Sequence, residues 1–169
     1  PRLPKHIGII TSGSGAALQD MLNTLSRRLP LVRVTLAPSL VQGVEAPANL
    51  LRSLNSLNQI EDLDLILIAR GGGSIEDLWA FNDEQVVRAI ANSPIPTITG
   101  IGHETDFTLA DFAADQRAPT PTGAAEMATP DSAGERQALM QADRWLTDAY
   151  LQAVQSLRAS WLALQNRLD

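Results

Sequence analysis

Leu63 to Ala69 reads LDLILIA and runs directly into Arg70-Gly71-Gly72-Gly73-Ser74. The seven residues are apolar almost throughout, the pattern of a strand covered on both faces in the middle of a parallel sheet. The glycines end that strand in a loop. From Ile75 to Ala91 the apolar residues return at helical spacing, with a break allowed near Asn82.

The same alternation extends in both directions. His6 to Thr11 (HIGIIT) is a short β-branched strand that ends in Ser12-Gly13-Ser14-Gly15. Leu18, Met21, Leu22 and Leu25 give a helix from Gly15 to Leu29, stopped before Pro30. Leu31 to Ala37 is the next strand, Ala46 to Ile60 a leucine-spaced helix, Pro96 to Ile101 a fourth strand and Glu104 to Ala114 a further helix. Strands alternating with helices predict an α/β domain, with a mostly parallel sheet and helices on both faces. Ligands of such sheets sit beyond the carboxyl ends of the strands. The loops Ser12 to Gly15, Gly71 to Ser74 and Gly100 to His103 all follow strands, so they should crowd one edge.

After Arg117 the composition changes. Ala118 to Thr122 (APTPT) reads as a stiff connector and Gly123 to Thr129 as a short helix. Asp131 to Asp169 has no proline and no glycine beyond Gly134, and Ser132 with Glu135 fits a capping box. Tyr150, Val154, Leu157, Trp161, Leu164 and Leu168 follow four-three spacing, a coiled-coil-like stripe on a long C-terminal helix. Trp161 on that stripe is a packing residue. The expected division is a core over 1–117, a connector with a short helix over 118–130, and a helical stalk over 131–169.

The bulk numbers narrow the function. The 169 residues are 44% hydrophobic and 19% charged, suited to a folded domain. A formal net charge of −6, from 13 basic against 19 acidic residues, argues against a protein that coats nucleic acid nonspecifically. It leaves room for an enzyme that grips a few phosphates locally. With no cysteine there is no disulfide or thiolate metal site. No apolar run approaches the roughly 18 residues of a membrane span, and no basic-then-apolar leader is present, so the expected location is the cytoplasm. A chain that starts at Pro1 and stops inside a helical pattern reads as part of a longer protein.

Glycines 71 to 73 can turn their amide hydrogens toward an anion, and a helix beginning near Ile75 adds partial positive charge. Arg70 offers a permanent planar cation for phosphate oxygens; the competing reading is a tight turn with Arg70 paired to an acid. Ser12, Ser14, Gly15 and Ser74 are further phosphate-binding candidates, or simply helix caps. The imidazole of His103 suits proton transfer, and Asp106, three residues on, shares its helical face and can steer the ring. The alternative is a helix-capping histidine beside an acid. His6 reads as a surface residue. Asp20, in the second turn of the first helix, is either functional or solvated. There is no nucleotide-binding Gly-x-x-x-x-Gly-Lys motif, and two histidines cannot build a histidine-rich metal cage.

Arg70 to Glu84 (RGGGSIEDLWAFNDE) and Gly102 to Glu126 (GHETDFTLADFAADQRAPTPTGAAE) resemble the signature stretches of the exonuclease VII large-subunit family. Thr11-Ser12, Gly15-Ala16-Ala17, Asp20 and Val41-Gln42-Gly43 add to the resemblance, which spans most of residues 4–130. It implies hydrolysis of single-stranded DNA from either end to oligonucleotides, with Asp20, Arg70, His103 and Asp106 at the family's catalytic positions. No cofactor follows with certainty, and a divalent metal such as Mg is left open. The resemblance further implies an OB-fold domain ahead of Pro1, several copies of a small subunit on the C-terminal helical region, an oligomer of large subunits, and little activity in this piece alone. Two other readings compete: a nucleotide- or sugar-phosphate-binding module that does not hydrolyse, and an assembly scaffold built on the long helix.

Overall fold

The computed structural model describes residues 1, 3–72, 75–130 and 132–165. They form two compact units, Pro1–Pro130 and Asp131–Asp169. The first is the expected α/β unit. Its strands are β1 (His6–Thr11), β2 (Arg33–Pro38), β3 (Leu65–Arg70), β4 (Thr97–Ile101) and β5 (Gln116–Arg117), all parallel, in the order β2-β1-β3-β4-β5. The helices are α1 (Ala16–Arg28), α2 (Ala46–Asn58), α3 (Glu84–Ala91), α4 (Leu109–Ala113) and α5 (Pro121–Ala128).

Side chains alternate across a strand, so a strand apolar at every position needs a core on each side. β1 and β3 have that surrounding. Ile10, Ile66 and Ile68 pack with Leu50, Leu54, Leu57, Phe81, Val86 and Ile90, from α2, α3 and the turn before it. Ile7, Ile9, Leu65 and Leu67 pack oppositely, with Leu18, Met21 and Leu25 of α1 and Ala124, Ala125 and Ala128 of α5. Right-handed crossovers place helices on opposite faces where the strand order reverses direction. Here it reverses between β1 and β3, so α1 covers one face and α2 the other.

Two expected helices change shape. Ile75 to Ala91 divides: Ile75–Asn82 is a 3-10 helix, and α3 starts afresh because Asp83 accepts hydrogen bonds from the N–H groups of Gln85 (2.9 Å) and Val86 (3.2 Å). The helix expected from Glu104 starts only at Leu109, which makes 102–108 a loop. The Asp111 carboxylate takes both the N–H and the hydroxyl of Thr108 at 2.8 Å, and Asn82 Oδ1 takes the Leu109 N–H at 2.7 Å. These acceptors satisfy the donors of a helix beginning at Leu109 and none further upstream. Strand β5 has only two residues and was not anticipated.

The second unit is one helix, α6 (Ser132–Gln165), 34 residues and therefore about 50 Å long. Tyr150, Leu157 and Trp161 of the expected stripe are exposed and Val154 is half-buried. Leu139 and Leu146 carry apolar exposure toward the N-terminal end. Leu168 and the side chains of Leu164 and Ser132, and with the latter the expected capping box, lie outside the described residues. No described helix is long and apolar enough to cross a membrane.

His6 corrects the sequence reading, because it is buried. It opens β1, the strand between β2 and β3, where both neighbours cover it. Arg33 Nη2 approaches Nδ1 to 2.8 Å and Nε2 lies 2.7 Å from Thr35 Oγ1. A guanidinium can only donate, so Nδ1 accepts and Nε2–H donates to Thr35 in a neutral ring. Asp62 Oδ1 also lies 3.2 Å from Nδ1, but the carboxylate is ion-paired to Arg33. Burial, then the Arg33 charge, hold the His6 pKa below its ordinary value, with Asp64 opposing. The unfolded chain therefore takes up this proton at higher pH than the folded one. Stability that His6 contributes is complete above about pH 6.5 and is lost as pH falls through the lower folded value. Thermal midpoints should drop between about pH 7.5 and pH 5.5, and His6→Gln should flatten that slope. An unchanged slope in the variant would assign the pH dependence elsewhere.

Candidate active site

The carboxyl ends of β1, β3 and β4 form one rim, with the order reversal between β1 and β3. Arg70 ends β3 opposite Ile101 of β4, and the Gly102 N–H continues the ladder by donating to the Arg70 carbonyl at 3.2 Å. The loops that follow therefore rise side by side. Gly102 has φ +72°, a left-handed conformation that lets the chain fold back over the strand end.

That turn places Asp106 under His103. Asp106 Oδ2 accepts the His103 backbone N–H at 2.8 Å, the Asp106 N–H donates to the His103 carbonyl at 3.1 Å, and Nδ1 of the ring lies 3.5 Å from the same Oδ2. The pair is thus held by a hydrogen-bonded turn and not by a shared helical face. The other edge of the ring rests on the glycine loop. A Cβ added to Gly72 would fall 2.7 Å from His103 Cε1 and 3.0 Å from Nε2, so only glycine leaves the imidazole in place. The His103 side chain is 66% exposed, open to solvent.

Arg70 is placed differently. It is 3% exposed, with Nη2 donating to Asp77 Oδ2 at 3.0 Å and to Gln42 Oε1 at 3.3 Å. Nη1 is buried without a hydrogen-bond partner among the described residues. The guanidinium is half committed to an acid, as the competing sequence reading allowed, and keeps one uncommitted end. Gly71 sits beside α1, where a Cβ would meet Ala17 Cβ at 3.6 Å. The first turn of α1 has no acidic residue and no side-chain cap on its N-cap Gly15, leaving the positive end of its dipole uncompensated. Ser12 is half-buried against Gly15 and Ser14 is exposed. Gly73 and Ser74 lie outside the described residues.

Asp20 is exposed one turn along α1 from Ala17 and has no hydrogen bond or ion pair to any described residue. The structure thus brings His103, Asp106 and Gly72 into contact and sets Arg70 and Gly71 next to them, with Asp20 exposed on α1. Among the described residues no three His, Asp or Glu side chains group as metal ligands. Sequence reasoning gave no role to Asp77 as the partner of Arg70, nor to Arg117, whose Nη2 donates to the Asp106 carbonyl at 2.8 Å. For Asp77 a signal existed, an acid just past the glycine run. Arg117 lies in a strand too short to read.

The family model for the exonuclease VII large subunit matches residues 1–169. The exodeoxyribonuclease 7 large subunit of Shouchella clausii (strain KSM-K16) is 58% identical over 132 residues, covering 78% of this chain and 29% of that protein. That of Nitrosomonas eutropha is 60% identical over 131 residues, 78% of this chain and 29% of the relative. That of Legionella pneumophila (strain Paris) is 52% identical over 169 residues, 100% of this chain and 38% of the relative. The chain thus spans 29–38% of the length of these relatives.

Gly102 gives the most direct check on the turn. A Cβ there would lie 2.5 Å from Asp106 Oδ2, and an L residue resists the left-handed conformation at about 1–2 kcal/mol. Gly102→Ala should fold with a lowered thermal midpoint and lose the Asp106–His103 bond in a crystal structure. An unmoved Asp106 would show that the turn tolerates the side chain.

Proposed function

This chain belongs to the exonuclease VII large-subunit family, and on that premise we propose that it is the catalytic domain of an exodeoxyribonuclease. The reaction is hydrolysis of phosphodiester bonds in single-stranded DNA, from either end, to oligonucleotides. The observation that carries this reading is the imidazole of His103 lying against Gly72, so that a proton-transfer group borders a glycine loop fit to cradle phosphate.

The roles follow from the placement. Amide hydrogens of the Gly71–Gly72 loop and the open N-terminus of α1 bind the non-bridging oxygens, with Ser12 and Ser14 within the same rim. The uncommitted Nη1 of Arg70 offsets charge building on those oxygens, and Asp77 and Gln42 hold the guanidinium in orientation. His103 serves as general acid–base, taking a proton from water or giving one to the leaving oxygen. Asp106 fixes the ring and stabilises its protonated form. Asp20 positions water at the edge of the site.

The whole enzyme requires more than this domain. The exposed stripe of α6 suits a docking stalk for small subunits and for other large subunits, and most of the strand-gripping surface belongs to the rest of the protein. The 169 residues alone should therefore degrade DNA weakly or not at all.

The test uses the full-length large subunit assembled with its small subunit and a fluorescent single-stranded oligonucleotide. His103→Ala and Asp106→Asn should each lower kcat by about 100-fold or more, while binding measured by anisotropy changes less than about threefold. Retention of the wild-type rate by His103→Ala would sink the acid–base reading. Lost binding with any residual cleavage unchanged per bound strand would favour a phosphate-binding role.

A further inference from the structure

Arg117, at the end of β5, gathers the His103 loop. Its Nη2 lies 2.8 Å from the Asp106 carbonyl oxygen, 3.2 Å from that of Glu104 and 3.3 Å from that of His103. Its guanidinium carbon sits 3.9 Å over the Phe107 ring. Nε lies 4.0 Å from Asp111 Oδ2, the oxygen that also takes the Thr108 N–H. One largely buried cation therefore ties the loop from His103 to the cap of α4.

The consequence for the site comes from peptide geometry. In a planar trans peptide the carbonyl and the following N–H point in opposite directions. With the carbonyls of His103, Glu104 and Asp106 drawn toward Arg117, the N–H groups of Glu104, Thr105 and Phe107 point away from it. None of the three donates a hydrogen bond to another described residue. In the sheet order β3-β4-β5, Arg117 approaches from the β5 side, and the glycine loop after β3 lies on the other. The uncommitted amides are thus on the side where His103 meets Gly72.

We propose that Arg117 is the positioning residue of this site. It holds the His103 loop with carbonyl oxygens turned back and amide hydrogens forward, so that the non-bridging oxygens of the scissile phosphodiester meet donors instead of carbonyl dipoles. The inference rests on the phosphodiester reading above and adds a second set of backbone donors to it. It also explains how an acidic domain contacts phosphate: the cation stays behind the loop and presents its effect through the peptide groups.

The experiment compares Arg117→Ala, Arg117→Gln and Arg117→Lys in the full-length large subunit assembled with its small subunit. The substrate carries one phosphorothioate of defined configuration at the cleaved linkage. Arg117→Ala and Arg117→Gln should lower kcat about 100-fold with KM within about threefold, and Arg117→Lys should fall between them and wild type. The rate ratio between the two phosphorothioate isomers should collapse toward one, because the amides no longer distinguish the two oxygens. Rates within about threefold of wild type in all three variants would overturn the proposal. So would equal losses on both isomers with the ratio intact, the mark of a purely structural residue. Where Arg117→Ala does not fold, Arg117→Lys, which retains charge and stem, decides by the same ratio. His103→Ala run in parallel keeps the two readings apart. If it is inactive while the Arg117 variants resemble wild type, only the positioning role fails; if it is active, the acid–base reading fails.

Discussion

Strand β3 is covered on both faces, and that burial organises the molecule. Ile66 and Ile68 feed one core while Leu65 and Leu67 feed the other, so the strand can neither slip by one residue nor move to an edge without exposing a full row of apolar side chains. Fixing β3 in the centre fixes where its carboxyl end emerges, beside the point where the strand order reverses. A buried Arg70 at that end would be costly without partners, and Asp77 and Gln42 supply them. The same register carries Gly102 to the Arg70 carbonyl, so one ladder of backbone hydrogen bonds aligns both loops of the site.

The electrostatics of the rim are local. Both arginines near the site are engaged by other groups, Arg70 with a carboxylate and Arg117 with peptide carbonyls. Those contacts fix the geometry of the loops at the rim. In a chain with a net charge of −6 this matters. Long-range attraction for a polyanion is weak, whereas short-range donors at a few phosphates act irrespective of the overall charge.

Much of this was readable in the chain. The apolar runs of β1 and β3, the helical spacing of α1 and α2 and the glycine loops gave the α/β class and the edge on which the loops meet, because each is a local pattern. What escaped depended on contacts distant in sequence. His6 reads as surface by position yet is enclosed by β2 and β3. The helix expected from Glu104 is delayed to Leu109 by Asn82, 27 residues earlier. Arg117 is invisible as a functional residue because its targets are backbone carbonyls, which every sequence has. Of the four candidate residues, His103 and Asp106 meet in one turn, and Asp20 is exposed on α1.

Asp106 shows why the His103 loop must act as a unit. One carboxylate oxygen takes the His103 N–H and lies near the imidazole, while the residue's own carbonyl is held by Arg117. Movement of any member changes the orientation of the ring, which is exposed and, among the described residues, is defined by these contacts and Gly72. Groups linked in this way share their interaction energy, so the loss of one removes most of what the others contribute. A solvent-facing imidazole without that network would sample many rotamers, and a general acid–base must spend its time in one. The turn at Gly102, the Asp106 carboxylate and the Arg117 guanidinium together hold an exposed histidine against the glycine loop, the order that the proposed acid–base role requires.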